Sequence, residues 1–156
     1  MKHHAHRLGQ RYGFTLIELL VAATVMAVLT ATGVVAFTNI NRRSRDSKRV
    51  SDIEQLRSAL EMYRSDMGYY PAVSAGTFGN ASLLNATLVN TYMPKIPSDP
   101  KTTSGFNYYY QARNLVGANY YGYCLCAMQE SLAAPSNDCS GVSLDPDTCN
   151  YAMPNP

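Results

Sequence analysis

Histidine is confined to the first six residues (His3, His4, His6), and no proline occurs before Pro71. Charge is equally scarce at the front: from Phe14 to Phe37 the only ionised side chain is Glu18. A basic excess is missing as well. The formal net charge is +2, but Lys2, Arg7 and Arg11 precede Phe14, and the chain from Phe14 onward holds ten basic against eleven acidic residues, a net of −1. Each absence excludes something. Without histidine beyond residue 6, a Ser-His-Asp or Cys-His catalytic set and a histidine metal site have no members in the body of the chain. Without a basic surface, nucleic acid is not an expected partner. Without proline, nothing breaks a helix between Phe14 and Tyr70.

The residues that are present divide the chain into four stretches. Residues 1–13 are short, basic and free of acids, the composition of a targeting leader. Residues 14–38 are apolar and about 25 residues long, roughly 38 Å of helix against a hydrocarbon core of about 30 Å. Residues 39–67 are amphipathic: Val50, Ile53, Leu56, Leu60, Tyr63 and Met67 recur at three- and four-residue steps. Lys48 with Asp52, Arg57 with Glu61, and Glu61 with Arg64 are spaced as helical charge pairs. The two stretches together predict one helix of about 50 residues, with Gly33 its weakest point. Gly68 and Pro71 end it. Residues 68–156 form a head: turn-rich at 74–80, a short helix at 81–90, tyrosine-rich strands at 106–113 and 119–128 joined by a hairpin at 114–118, and a polar tail from Pro135 expected as loop.

Glu18 carries the chemistry of the front half. A carboxylate in a membrane-length apolar segment is costly to hold and marks a functional site. The sequence Gly13-Phe14-Thr15-Leu16-Ile17-Glu18 resembles the processing motif of type IV pilins and type II secretion pseudopilins. The run from Asp52 to Pro71 and the segment Ile96-Pro97-Ser98-Asp99-Pro100 before Tyr108 to Tyr110 resemble the same family. The resemblance implies cleavage between Gly13 and Phe14 by a membrane prepilin peptidase, and N-methylation of Phe14. Glycine leaves room for the peptidase to approach. The cut creates an amine at Phe14, and Glu18 then has a cation one turn away or on a neighbouring subunit. The family's mid-helix proline is absent, and Gly33 with Thr30 and Thr32 stands where the helix would loosen.

The implied fold is α+β and pilin-like, a long N-terminal helix packed on a small antiparallel sheet. The implied role is structural and not enzymatic. The leading expectation is a type IV pilin of an extracellular pilus serving adhesion, motility or DNA uptake; the alternative is a pseudopilin of a type II secretion system. The expected partners are copies of the chain in a filament, the prepilin peptidase, and indirectly an assembly ATPase and its membrane platform. The expected location is the bacterial inner membrane as a single-pass precursor, then an extracellular or periplasmic filament.

Cys124, Cys126, Cys139 and Cys149 all lie near the C-terminus, an even count that fits an oxidising compartment. Cys124 and Cys126 share one face of a strand, so a bond between them would strain the backbone. Either each strand cysteine joins the tail, or Cys139 joins Cys149. The resemblance implies the second, a C-terminal loop bounded by a disulfide. Zinc is disfavoured by the Cys-X-Cys spacing and wide gaps. The resemblance also implies calcium at Asp138, Asp145 and Asp147; solvated turn residues fit the same spacing better, and no other cofactor is expected. Eleven tyrosines lie beyond the leader, and sheet packing explains them before an aromatic binding surface does.

Overall fold

The structure is a computed structural model that describes residues 13–131, 139 and 149–155. The chain falls into two units that divide after Ile40. The leader expected at residues 1–13 lies outside the described residues except for Gly13.

Helix α1 runs Leu16–Met67. In the first unit every described side chain is exposed, including Phe14, Leu16, Ile17, Met26, Leu29 and Phe37. The helix is long and apolar enough to cross a membrane. Its threonines leave no hydroxyl proton idle: Thr24 donates to the Val21 carbonyl, Thr30 to Met26, Thr32 to Leu29 and Thr38 to Val35. Such back-bonding lets a polar residue sit in an apolar medium.

In the second unit α1 buries Ile53, Leu56, Ala59 and Leu60. The predicted stripe holds at its centre and is exposed at Met67. Of the three expected helical charge pairs only Glu61 with Arg64 forms, at 3.9 Å; Arg57 meets Glu54 instead, and Asp52 accepts from Tyr108. Tyr108, just before the strand Tyr109–Val116, won the competition for Asp52, because a buried tyrosine hydroxyl needs a partner more than an exposed lysine does. Gly68 closes the helix at φ +81° and donates its N–H to the Arg64 carbonyl, a left-handed cap that favours glycine.

The sheet is antiparallel with order β1-β2-β3-β4. Strand β1 is Gly79–Asn80, β2 is Tyr109–Val116, β3 is Asn119–Ala127 and β4 is Tyr151–Pro154. Between β1 and β2 lie a 3₁₀ turn, Ala81–Leu84, and helix α2, Asn85–Leu88; Leu84 and Leu88 are buried. Asn80 caps the turn by accepting from the Ser82 N–H at 2.9 Å. The hairpin matches expectation but is tighter, with Val116 paired to Asn119 and Gly117 at φ +65°.

Two elements depart from the sequence reading. Gly79–Asn80, expected as turn, pairs with Tyr110 and Tyr109 as an edge strand. The tail, expected as loop, ends in β4, with Cys126 opposite Ala152 and Ala127 opposite Tyr151. Alternation along β3 explains the layering. Tyr123, Leu125 and Ala127 face the helix with Tyr108, Tyr110 and Ala112. Cys124 and Cys126 face the other way, in a second cluster with Cys139, Cys149 and Ala152.

Candidate functional site

Gly13 and Phe14 precede the helix. A Cβ added at Gly13 would meet nothing within 4 Å, and Phe14 is 78% exposed. The bond between them is open to an enzyme. Thr15 starts the helix: its Oγ1 accepts from the Glu18 N–H at 3.3 Å and its carbonyl from the Leu19 N–H. Glu18 is the acid of the first turn, where the helix dipole favours a carboxylate. It shares one surface with Ile17, Val21, Ala22, Val25, Met26 and Leu29 and is the only polar side chain there. Among the described residues Glu18 is in no ion pair.

The four cysteines pair as Cys124–Cys139 and Cys126–Cys149, with Cα separations of 6.0 and 5.8 Å. Each strand cysteine therefore joins the tail. The Cys139–Cys149 bond implied by the resemblance is not formed, because both tail cysteines lie over the same face of β3. The side-chain amide of Asn150 donates to the Gln129 carbonyl at 2.7 Å, and its oxygen accepts from the Gln129 N–H. That clamp sets Cys149 beside Cys126. Asp138, Asp145 and Asp147, the calcium candidates, lie outside the described residues. Among the described residues no group of three His, Cys, Asp or Glu side chains is suited to a metal.

The residues that sequence reasoning missed form a charge cluster where α1 meets the head. Arg49 has no exposed surface. It donates to Asp99 at 2.6 and 3.0 Å, to Asp46 at 2.7 Å and to Glu130 at 3.1 Å. Arg45 grips Glu130 with two bonds of 2.6 and 2.7 Å, and Lys101 adds a third contact at 2.7 Å. Asp46 accepts from the Glu130 and Ser131 N–H groups and from the Ser131 hydroxyl. Phe106 lies under Arg49 at 5.0 Å. Three cations meet three carboxylates, so burial leaves no net charge.

The electrostatics arise from those contacts. Hydrogen bonds from Arg45 hold the Glu130 carboxyl far below the usual range, against burial and helped by Lys101 and Arg49. Burial alone would raise Asp46, but bonds from Ser131, the Glu130 N–H and Arg49 outweigh it and lower its pKa. Burial would lower Arg49, and its bonds to Asp99, Asp46 and Glu130 raise it instead. A sequence signal existed: Arg45, Asp46 and Arg49 sit at i, i+1 and i+4 on a helix, and Asp99 lies between two prolines. Glu130 gave none.

The tyrosines tie the helix to the sheet. Tyr70 and Tyr123 both donate to Glu61, at 2.9 and 3.0 Å. Tyr108 donates to Asp52 at 2.7 Å and Tyr110 to the Pro71 carbonyl at 2.9 Å. Burial, reinforced by the carboxylates beside Tyr108 and Tyr123, pushes these hydroxyls above the ordinary phenol range.

Comparison with known proteins places this geometry. Residues 9–34 match the prokaryotic N-terminal methylation motif, and residues 36–120 match type II secretion system (T2SS), protein G. The second match spans more than half of the chain. The chain belongs to the protein G family. Its similar relatives include the type II secretion system core protein G of Escherichia coli (strain K12), 32% identical over 56% of this chain and 65% of the relative. That of Pectobacterium carotovorum subsp. carotovorum is 31% identical over 56% and 60%, and that of Klebsiella pneumoniae 30% over 60% and 71%. The chain spans less than two thirds of the length of the first two relatives. No solved structure matches it. The protein G match takes in Arg45, Asp46, Arg49, Asp99 and Lys101 and stops short of all four cysteines, Glu130 and β4.

Proposed function

We infer that this chain is a pseudopilin, a structural subunit of a filament in a type II secretion apparatus. The observation that carries this is the protein G match over residues 36–120, continuous with a methylation motif over residues 9–34. The relatives support this reading over that of a surface pilus subunit. In it, residues 14–38 hold the precursor in the inner membrane with the head in the periplasm. A prepilin peptidase cuts after Gly13 and the new amine of Phe14 is methylated. Glu18 then pairs with a Phe14 amine as the apolar helices leave lipid and pack together. The subunit performs no chemistry and needs no cofactor for this role; a separate ATPase and membrane platform drive extension.

Two measurements test it. Mass analysis of the mature N-terminus is expected to find methylated Phe14; an intact Met1, or a cut well downstream, refutes the processing. Deletion of the gene is expected to abolish export of secreted enzymes while surface fibres persist. Loss of fibres with export intact would return the chain to the pilus reading.

A further inference from the structure

Five basic residues follow the apolar segment within eleven positions: Arg42, Arg43, Arg45, Lys48 and Arg49. Basic residues on the exported side of a span oppose the orientation that loop charge normally sets. Two of the five have a structural task, since Arg45 and Arg49 are consumed by Glu130, Asp46 and Asp99. Arg42, Arg43 and Lys48 are exposed and make no ion pair among the described residues. Asp46, the one acid among them, is buried and already accepts from Arg49 and Ser131. Three positive charges beside the apolar run are therefore held in no ion pair among the described residues.

Their placement distinguishes one partner from another. At about 100° per residue, Arg42, Arg43 and Lys48 divide the circumference of α1 into arcs of roughly 100°, 140° and 120°. A protein docking on one side would meet a single arc. Lipid headgroups, which close in on every side that the head leaves free, reach all three. Along the sequence they follow the apolar stretch, which ends at residue 38, by four, five and ten residues, and the headgroup layer is about 5 to 7 Å thick on each side of a bilayer. Helical side chains lean toward the N-terminus, here toward the apolar run, and long basic stems extend that reach.

We propose that Arg42, Arg43 and Lys48 form a collar that binds anionic phospholipid headgroups around the helix while the subunit is in the membrane. The collar holds the precursor at a fixed depth and draws acidic lipid to it; extraction into a filament must break those contacts. The proposal rests on the membrane-anchored reading given above.

The test uses the full chain reconstituted in vesicles of equimolar phosphatidylcholine and phosphatidylglycerol. Spin-labelled forms of each lipid report which one occupies the shell around the helix. A basic residue near an anionic surface is worth about fivefold in local binding. Phosphatidylglycerol is expected to be favoured by roughly that factor at low salt. The preference should fall toward one in high salt and in Arg42→Gln/Arg43→Gln/Lys48→Gln. Because these side chains make no ion pair with the described part of the head, the variant is expected to keep both disulfides by peptide mapping. A ratio near one in the wild-type chain, or a preference that survives the triple substitution, overturns the collar. Cross-links from Lys48 to carboxylates of a second copy, in place of lipid selectivity, also overturn it. Release of the chain by alkaline carbonate would instead refute the membrane anchor itself.

Discussion

Replacing Arg49 with methionine should unfasten the head from α1. The guanidinium is wholly buried and holds Asp99, whose side chain is also fully buried, by two bonds. Without it Asp99 keeps only the Lys101 N–H, at 2.7 Å, and three carboxylates face two cations. Removing one partner of a buried ion pair costs about 3–5 kcal/mol, largely because the remaining charge stays buried and unpaired. At roughly 4 °C per kcal/mol for a head of this size, the melting temperature should fall by about 12–20 °C. The assay is thermal unfolding of the full chain in detergent, followed by near-ultraviolet circular dichroism of the buried tyrosines. Arg49→Lys should lose less, since it keeps the charge but not the two-pronged geometry. Arg49→Met/Asp99→Asn should recover part of the loss, because the orphaned charge is gone. A melting temperature for Arg49→Met within about 3 °C of wild type, less than 1 kcal/mol, would refute the assignment of Arg49 as the clamp.

The same cluster predicts acid sensitivity. Asp46 and Glu130 have pKa values below their ordinary 3.8 and 4.5, so their stabilisation is complete above those values and is lost as pH falls through and below them. Denaturant midpoints should hold steady down to about pH 5 and then drop, and Glu130→Gln should flatten the drop; an unchanged acid limb in that variant would count against the clamp. Asn150→Ala should leave four oxidised cysteines but add mispaired Cys124–Cys149 and Cys126–Cys139 bonds after refolding, read by peptide mapping; wholly native pairing would show that Asn150 does not set the register. Glu18→Ala should insert in the membrane and be cut after Gly13 yet give much less filament; a normal yield would refute the pairing of Glu18 with the Phe14 amine.

The helix, its end at Gly68 and the central hairpin were legible because each rests on local chemistry. Apolar spacing at Ile53, Leu56 and Leu60, a glycine able to take positive φ, and alternating tyrosines all act over a few residues. The methylation motif, matched over residues 9–34, was legible for the same reason: Gly13, Phe14 and Glu18 are neighbours. Strand β4 was hidden because Tyr151–Pro154 is short and polar-flanked, and is held by partners more than twenty residues away. The disulfide pairing depended on which face of β3 the tail crosses, a tertiary fact. The charge cluster was partly visible on α1, but Glu130 lies 81 residues from Arg49, and no periodicity links them. The cysteines' shared face ruled out one pairing and left the others open.

All four cysteines are consumed within one chain, and none is free. A fibre built from such subunits is therefore covalently closed inside each bead and has no covalent seam between beads. Reductant would soften the heads without cutting the fibre, and dissociation would require no bond to be broken. In such a fibre a subunit could leave with its covalent structure unchanged, both of its disulfides intact.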